Sequence, residues 1–400
     1  MRVDTPAVIV GAGLNGLGVA RSLARAGVPA WLLDTDERRA EMRTRAARPL
    51  KVEALHGDAL VDALVHLAST RFAGQRPVLL LTQEESVRAV SHQRERLSAL
   101  YRFSLPPVAL VDALQHKQGF QRLAEQLGGP IPALVHIRKL EDLSALDRLQ
   151  FPVVVKPGER HAEYSKQFKK AYRVEHVAEA CELIRRILPV MDDVVVQEWT
   201  EGPDSSIYFC LQYLDRQGLV TASFTGRKVR SWPPQVGGTA SCMPAPEAHD
   251  VLSALTTRFF QQAGVTGMAG MEYKRDVRSG EFRMVEPTIG RTDYQAEVAT
   301  LNGVNLPYAA YCAELGQPGA HSSRAGRSLA WRMRSEDEQS AAAQQQSIGQ
   351  GFETVDRVCD ALWRWNDPMP YLIQAMRRIR GALKTRSAKW MSGSPAARSK

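Results

Sequence analysis

The sequence predicts a mixed chain, with an N-terminal α/β unit on a parallel sheet followed by a larger α+β body. Three observations predict it. Ala7-Val8-Ile9-Val10, the turn Gly11-Ala12-Gly13-Leu14-Asn15-Gly16, a helical stretch from Leu17 to Ala26 and an apolar strand ending at Asp34 form a β-α-β unit. Phe151 to Pro157 and Val194 to Trp199 are short apolar runs that finish in polar side chains. From Val194 to Glu286, strand-like segments dominate and one helical stretch interrupts them.

Composition sets the bounds. A chain of 400 residues exceeds one ordinary core and suggests two or three domains. Hydrophobic content of 44% and charged content of 24% are those of a soluble globular protein. No run of 18 apolar residues exists, so no spanning helix is expected. Asp4 ahead of the first apolar run, and the glycines that interrupt that run, argue against a signal peptide. Five scattered cysteines without a C-x-x-C pair argue for a reducing, cytoplasmic setting and against structural zinc. Of the net charge of +9, eight Lys/Arg and no acid lie from Arg377 onward. The body is therefore nearly neutral, and no nucleic-acid partner is expected.

The elements follow in order. Gly27 caps the first helix, and Pro29 to Asp34 is the second strand. Lys51 to Ala68 reads as an amphipathic helix through Leu55, Leu60, Leu64 and Leu67. Pro77 to Thr82 is a further strand of the same sheet. A helix starts at His116-Lys117 and stops at Gly128-Gly129-Pro130, and Leu140 to Leu149 is a shorter one. Val174 to Leu188 is helical, and Asp250 to Gln262 is the helix among the later strands. Arg278-Ser279-Gly280 turns between strands at Gly270–Tyr273 and Phe282–Glu286. Gln339 to Gln350 is a polar surface helix or a linker.

Five constellations carry chemistry. The glycine turn with Asp34 suits a dinucleotide phosphate at a helix N-terminus, or is a structural turn of the sheet. Lys117 and Lys156 suit a triphosphate, because two point charges from separate segments neutralise it; the bland alternative is a pair of surface lysines. Lys166, Lys169 and Lys170 lie in a polar stretch, Glu159 to Lys170, that suits a lid. Gln197, Glu198 and Trp199 end a buried strand where a base needs acceptors and a backbone donor, and Asp204 or Glu201 suits ribose hydroxyls. Glu272 and Glu286, 14 residues apart on consecutive strands, suit magnesium, unless they are solvent-facing partners of Lys274 and Arg283. Arg227, Lys228, Arg230 and Arg291, with Gly237-Gly238-Thr239, suit a carboxylate or an acyl phosphate, and Arg291 stands best, five residues past Glu286. None of the histidines has a nucleophile partner at a diagnostic spacing.

This order, Lys117, then Val153-Val154-Val155-Lys156-Pro157, then Val196-Gln197-Glu198-Trp199, then Glu272 and Glu286, resembles the ATP-grasp superfamily. The glycine turn is similar to the Rossmann-like domain that precedes it in many members. Gly13 to Gly18, Ala20 to Leu23 and Asp367-Pro368-Met369-Pro370 resemble carboxylate–amine ligases of the D-aspartate ligase and carbamoyl phosphate synthase kind. The resemblance implies ATP and Mg2+, with Lys117 and Lys156 on the phosphates and Gln197, Glu198 and the Trp199 backbone at adenine. It implies Glu272 and Glu286 on the metal and Arg291 at the acyl phosphate. Thr288 stands where the family usually has Asn, and offers the metal a hydroxyl in place of an amide oxygen.

The expected organisation is a Rossmann-like domain over 1–105, a two-lobed ATP-grasp domain over 106–320 with its lid at about 150–200, and a C-terminal extension over 321–400. The expected activity joins a small carboxylate to an amine at the expense of ATP. The alternatives are a NAD- or FAD-dependent oxidoreductase using the glycine turn, and a non-catalytic ATP-binding protein. A homodimer is a further expectation. Leu372, Ile373, Met376, Ile379 and Leu383 near one helical face, set among cations, suggest peripheral membrane contact through residues 371–390, against a tail helix packed on the body.

Overall fold

The computed structural model describes residues 5–158, 162–169, 171–235, 237–318 and 326–379. The N-terminal sheet holds β1 (Ala7–Val10), β2 (Ala30–Asp34), β3 (Arg48–Lys51) and β4 (Val78–Leu81) in the order β3-β2-β1-β4, every pair parallel. Between and after these strands run α1 (Gly13–Arg25), α2 (Gly57–Thr70), α3 (Glu84–His92) and α4 (Arg94–Ser98). The stretch expected as a helix from Lys51 gives its first residue to edge strand β3, and α2 begins only at Gly57. Pro49 has no N–H to donate, so it sits on a sheet edge, and left-handed Gly57 (φ 61°) breaks the chain before the helix.

Next come α5 (Val108–Gln115) and α6 (Lys117–Gln126), followed by a second sheet. Its strands are β5 (Leu134–Ile137), β6 (Val153–Pro157), β7 (Tyr172–Val174) and β8 (Val194–Glu198), in the antiparallel order β5-β8-β6-β7. Helices α7 (Ala162–Gln167) and α8 (Val177–Ile187) belong to the same lobe. Its core is its own, built from Ile137, Val153, Val155, Ile184, Val194 and Val196 among others. The lobe thus includes β5, ahead of the expected start near 150. Strands β5 and β7 are too short to show a period of two in the sequence.

The third sheet is seven-stranded and forms the floor of the molecule. Its strands are β9 (Ile207–Leu214), β10 (Val220–Trp232), β11 (Gly238–Pro244), β12 (Gly267–Arg275), β13 (Phe282–Ile289), β14 (Leu329–Arg332) and β15 (Arg357–Asp360), in the order β13-β12-β9-β10-β11-β14-β15. Helix α9 (His249–Ala263) covers one face, and α10 (Ala296–Leu301) and α11 (Leu306–Glu314) cover the other. Helix α12 (Arg334–Ala343) packs on β10 and β11, so the polar run after it, 344–350, is a connection. Both large cores join side chains of the N-terminal sheet to side chains of this floor, so the two pack as one body. Buried Arg21 of α1 completes the junction, bonding Asp367 Oδ2 (3.0 Å) and the carbonyls of Ala361 and Leu362. A last helix covers 369–379, and the expected membrane segment beyond residue 379 lies outside the described residues. Among the described residues no helix is long and apolar enough to cross a membrane.

Candidate active site

The two acids on the floor face each other because of a β-bulge. Strands β12 and β13 pair Tyr273 with Met284 but Glu272 with Glu286, leaving Val285 as the extra residue. Had the register of Tyr273 and Met284 run on unbroken, Val285 would oppose Glu272, and Glu286 would fall opposite Met271, on the other face. The bulge instead puts Glu272, Glu286 and Thr288 on one face, with Gly270 opposite Thr288. The cost is an exposed Val285 (45%).

A cation reaches the pair from two strands away. Phe209 lies between Glu272 and Gly226 in the sheet, and its ring covers Gly226, where a Cβ would come within 2.4 Å of it. Lys228, two residues further along β10, extends its Nζ to 2.8 Å from Glu272 Oε2. Burial pushes the Glu272 carboxyl up, Lys228 pulls it back down, and Glu286 and Asp293 push it up again. Asp293 is also raised by burial, opposed by Arg291. Lys274 and Arg283 do not serve these acids: Lys274 lies 4.8 Å over the Trp199 ring, and Arg283 bonds Glu281.

Arg291 stands beside this group. Its Nη2 donates to Glu84 Oε1 (3.0 Å) and its Nη1 to the Thr292 carbonyl (3.2 Å), while its buried Nε has no partner among the described residues. An unpaired buried N–H on a charged fork is a docking point for an incoming anion. Asp293 and Glu84 escape sequence reasoning. The acid two residues past Arg291 is a signal that was there to be read, whereas Glu84 arrives from another sheet.

The lysines converge. Lys156 sits near the end of β6 and donates from Nζ to Gln197 Oε1 on β8 (2.7 Å). Lys117 opens α6, which packs against β13. Gln118 donates to the Gly158 carbonyl (3.2 Å), tying α6 to the end of the Lys156 strand. Burial first, and the Lys117 charge second, bring the Lys156 ammonium down to about 8. Two cations brought together, with no acid paired to either among the described residues, make an anion site.

Several expected base contacts are corrected. The Trp199 N–H already donates to the Pro152 carbonyl, so the strand-end donor left without a protein partner among the described residues is that of Thr200. Glu198 Oε1 accepts from Gln150 N (2.9 Å) and ties down the loop before β6. Gln197 positions Lys156. Asp204 is buried and accepts from the backbone N–H groups of Ser231 (3.0 Å) and Gln235 (2.8 Å), so it is spent on the floor and not on a ribose. Glu201 pairs with Arg173. Arg230 is a buried partner of Asp337 (2.8 Å), not a substrate contact. Gly237 is small because a Cβ there would lie 2.0 Å from the Trp232 carbonyl.

The glycine turn is likewise self-contained. Asp34, fully buried, accepts from Ala12 N (2.9 Å) in the turn itself and pairs with Arg39 (3.1 Å), so it offers nothing to a ribose. A Cβ on Gly16 would meet the Gly11 carbonyl at 2.0 Å, so this glycine serves packing. Asn15 bonds the carbonyls of Thr82 (3.0 Å) and Thr292 (2.6 Å), clamping the turn onto the loop that carries Arg291 and Asp293. The side chains of Asp34 and Asn15 are thus spent within the protein, where they hold the turn and the site together.

No protein-family model matches the sequence. Among curated proteins the chain is similar to a D-aspartate ligase of Enterococcus faecium, 24% identical over 320 residues, covering 75% of this chain and 74% of that one. It is also similar to the carbamoyl phosphate synthase large chain of Thermomicrobium roseum, 26% identical over 188 residues, or 44% of this chain and 17% of that one. Among solved structures, N5-carboxyaminoimidazole synthetase from Staphylococcus aureus superposes with a TM-score of 0.59 at 14% identity, over 82% of each chain. The biotin carboxylase domain of 2-oxoglutarate carboxylase from Hydrogenobacter thermophilus, solved with MgADP and bicarbonate, gives 0.59 at 13% identity, over 81% of this chain and 73% of that one. These likenesses show that the chain has the ATP-grasp fold and that its sequence is similar to that of carboxylate–amine ligases.

Proposed function

We propose that the chain is an ATP-dependent ligase that converts a small carboxylate to an acyl phosphate and joins it to an amine. The observation that carries this reading is the register pairing of Glu272 with Glu286 beside Lys228 and Arg291. The residues fit magnesium: two carboxylates and the Thr288 hydroxyl share one face. Bound there, the ion would neutralise charge on the phosphates.

The chain's own residues supply position and charge. Lys117 and Lys156 hold phosphate oxygens. A carboxylate oxygen attacks the γ-phosphorus, the bond to the β-phosphate oxygen breaks, and ADP is formed. Arg291 turns from Glu84 to the new acyl phosphate. The amine nitrogen then attacks the acyl carbon, the carbon–oxygen bond to phosphate breaks, and phosphate and a proton are released. Catalysis of this kind rests on placement and electrostatics.

The division into 1–105, 106–320 and 321–400 belongs to the same proposal, supported by the separate core of the lysine lobe. A screen of small carboxylates for magnesium-dependent ADP release tests the reading, with D-aspartate first because of the relative's name. If no carboxylate raises ADP release over ATP alone, the chain is an ATP-binding protein without ligase chemistry. Peripheral membrane contact is a second reading. It is supported by exposed Leu372, Met376 and Ile379 on the last described helix and by the cations from Arg377 onward. Co-sedimentation with anionic vesicles that survives deletion of everything past Pro370 would dismiss it. Light scattering reads the expected homodimer.

A further inference from the structure

A cavity of about 310 Å3 lies apart from the acids and lysines, where α1, α12 and the helix 369–379 meet. Tyr371, Gln374, Ala375 and Arg378 line it at the spacing of one helical face. Leu14 and Met333 give it apolar walls, and Glu41 and Glu336 also line it.

Its polar groups are unmatched. Asp360 is used up by the N–H groups of Leu362 (2.9 Å) and Trp363 (3.0 Å) and by Arg334 (3.5 Å). The half-buried side chains of Glu41, Glu336, Tyr371 and Gln374 have no hydrogen-bond partner among the described residues. Two unpaired carboxylates, a phenol and an amide converging on a partly apolar cavity are the makings of a ligand site. Arg378, at the exposed end of the helix, is the one cation lining the cavity that has no described partner. The unpaired charge inside is therefore mostly negative, which favours a cationic ligand.

The position of the cavity is informative. Leu14 is the neighbour of Asn15, which bonds the carbonyl of Thr292 beside Arg291. Met333 follows Arg332, whose partner Asp337 (3.6 Å) also holds Arg230, two residues from Lys228. The cavity wall is therefore tied, through these bonds, to the loop that carries Arg291 and to the strand that carries Lys228.

We propose that this cavity docks the amine co-substrate as a protonated primary amine on an apolar stem, its ammonium held by Glu41 and Glu336 and its stem lying against Leu14 and Met333. This rests on the ligase reading, and it assigns the second substrate's place within it.

The test uses the full chain and two readouts. Calorimetry at neutral pH compares n-pentylamine and 1,5-diaminopentane with 1-pentanol. The amines bind and the alcohol does not, and Glu41→Gln with Glu336→Gln weakens amine binding at least about tenfold, the scale of a charge-assisted hydrogen bond. In turnover assays the same double variant raises the KM for the accepted amine by a similar factor, with less than about a twofold change in the KM for ATP. Tyr371→Phe, which keeps the ring, raises it by a smaller factor. Equal binding of alcohol and amine, or a double variant that binds amines like the parent, overturns the proposal. If no carboxylate ever elicits ADP release, the ligase reading fails, while the calorimetry still decides whether the cavity takes amines.

Discussion

Lys156→Met makes the free protein more stable while removing its nucleotide site. The folded protein holds the Lys156 ammonium at about 8 against an ordinary 10.5, and burial is the main cause. The sign follows directly. The depressed pKa means that folding disfavours the charged form, so the penalty is fully present below pH 8 and fades as pH rises towards 10.5. A gap of that size corresponds to about 3 kcal/mol at neutral pH. The variant removes that penalty but also the bond to Gln197, which leaves the Oε1 atom without its donor at a cost of about 1 kcal/mol. The net gain is about 2 kcal/mol, or roughly 2 °C in Tm for a chain of this length melting as one unit. Thermal melts with and without MgATP read both effects. The free variant melts above the parent at pH 7, the gap closes towards pH 10, and MgATP raises the Tm of the parent alone. A free variant that melts below the parent at pH 7, or one still stabilised by MgATP, refutes the reasoning.

Other outcomes follow from the same geometry. Glu286→Ala takes away one of the two acids paired across β12 and β13, so ADP release falls by about a hundredfold or more on the scale of a lost charge-stabilising group. Circular dichroism checks that the sheet survives. Arg230→Ala leaves buried Asp337 with only Arg332 (3.6 Å) and the Ser241 hydroxyl among the described residues, and costs about 3 kcal/mol in urea unfolding. Asp34→Asn lowers Tm and changes nothing in calorimetry with NAD, because the parent gives no binding signal either.

Much of the fold was legible because apolar runs and turn residues mark it locally. The β-α-β unit, the strands bearing Lys156 and Gln197 and the hairpin of acids all stand where their patterns put them. Strands β5, β7, β14 and β15 were not legible, because pieces of three or four residues have no period to detect. The lysines and acids of the site were legible as residue types in an order. Their pairing was not, because it depends on one extra residue in β13 and on a lysine reaching across two strands. Asp204 and Asp34 misled for one reason: a carboxylate at a strand end looks the same in sequence whether it awaits a ligand or is already saturated by backbone N–H groups. Glu84 has no local signal at all, since its role comes from the packing of the N-terminal sheet against the floor.

The most direct measurement follows oxygen from the carboxylate. With ATP, magnesium, an amine and a carboxylate labelled with oxygen-18, starting from D-aspartate and extending to whichever acid stimulates ADP release, the account predicts one labelled oxygen in the released inorganic phosphate. Ligation or ADP formation that yields only unlabelled phosphate would contradict it, because the substrate oxygen would then never have attacked phosphorus.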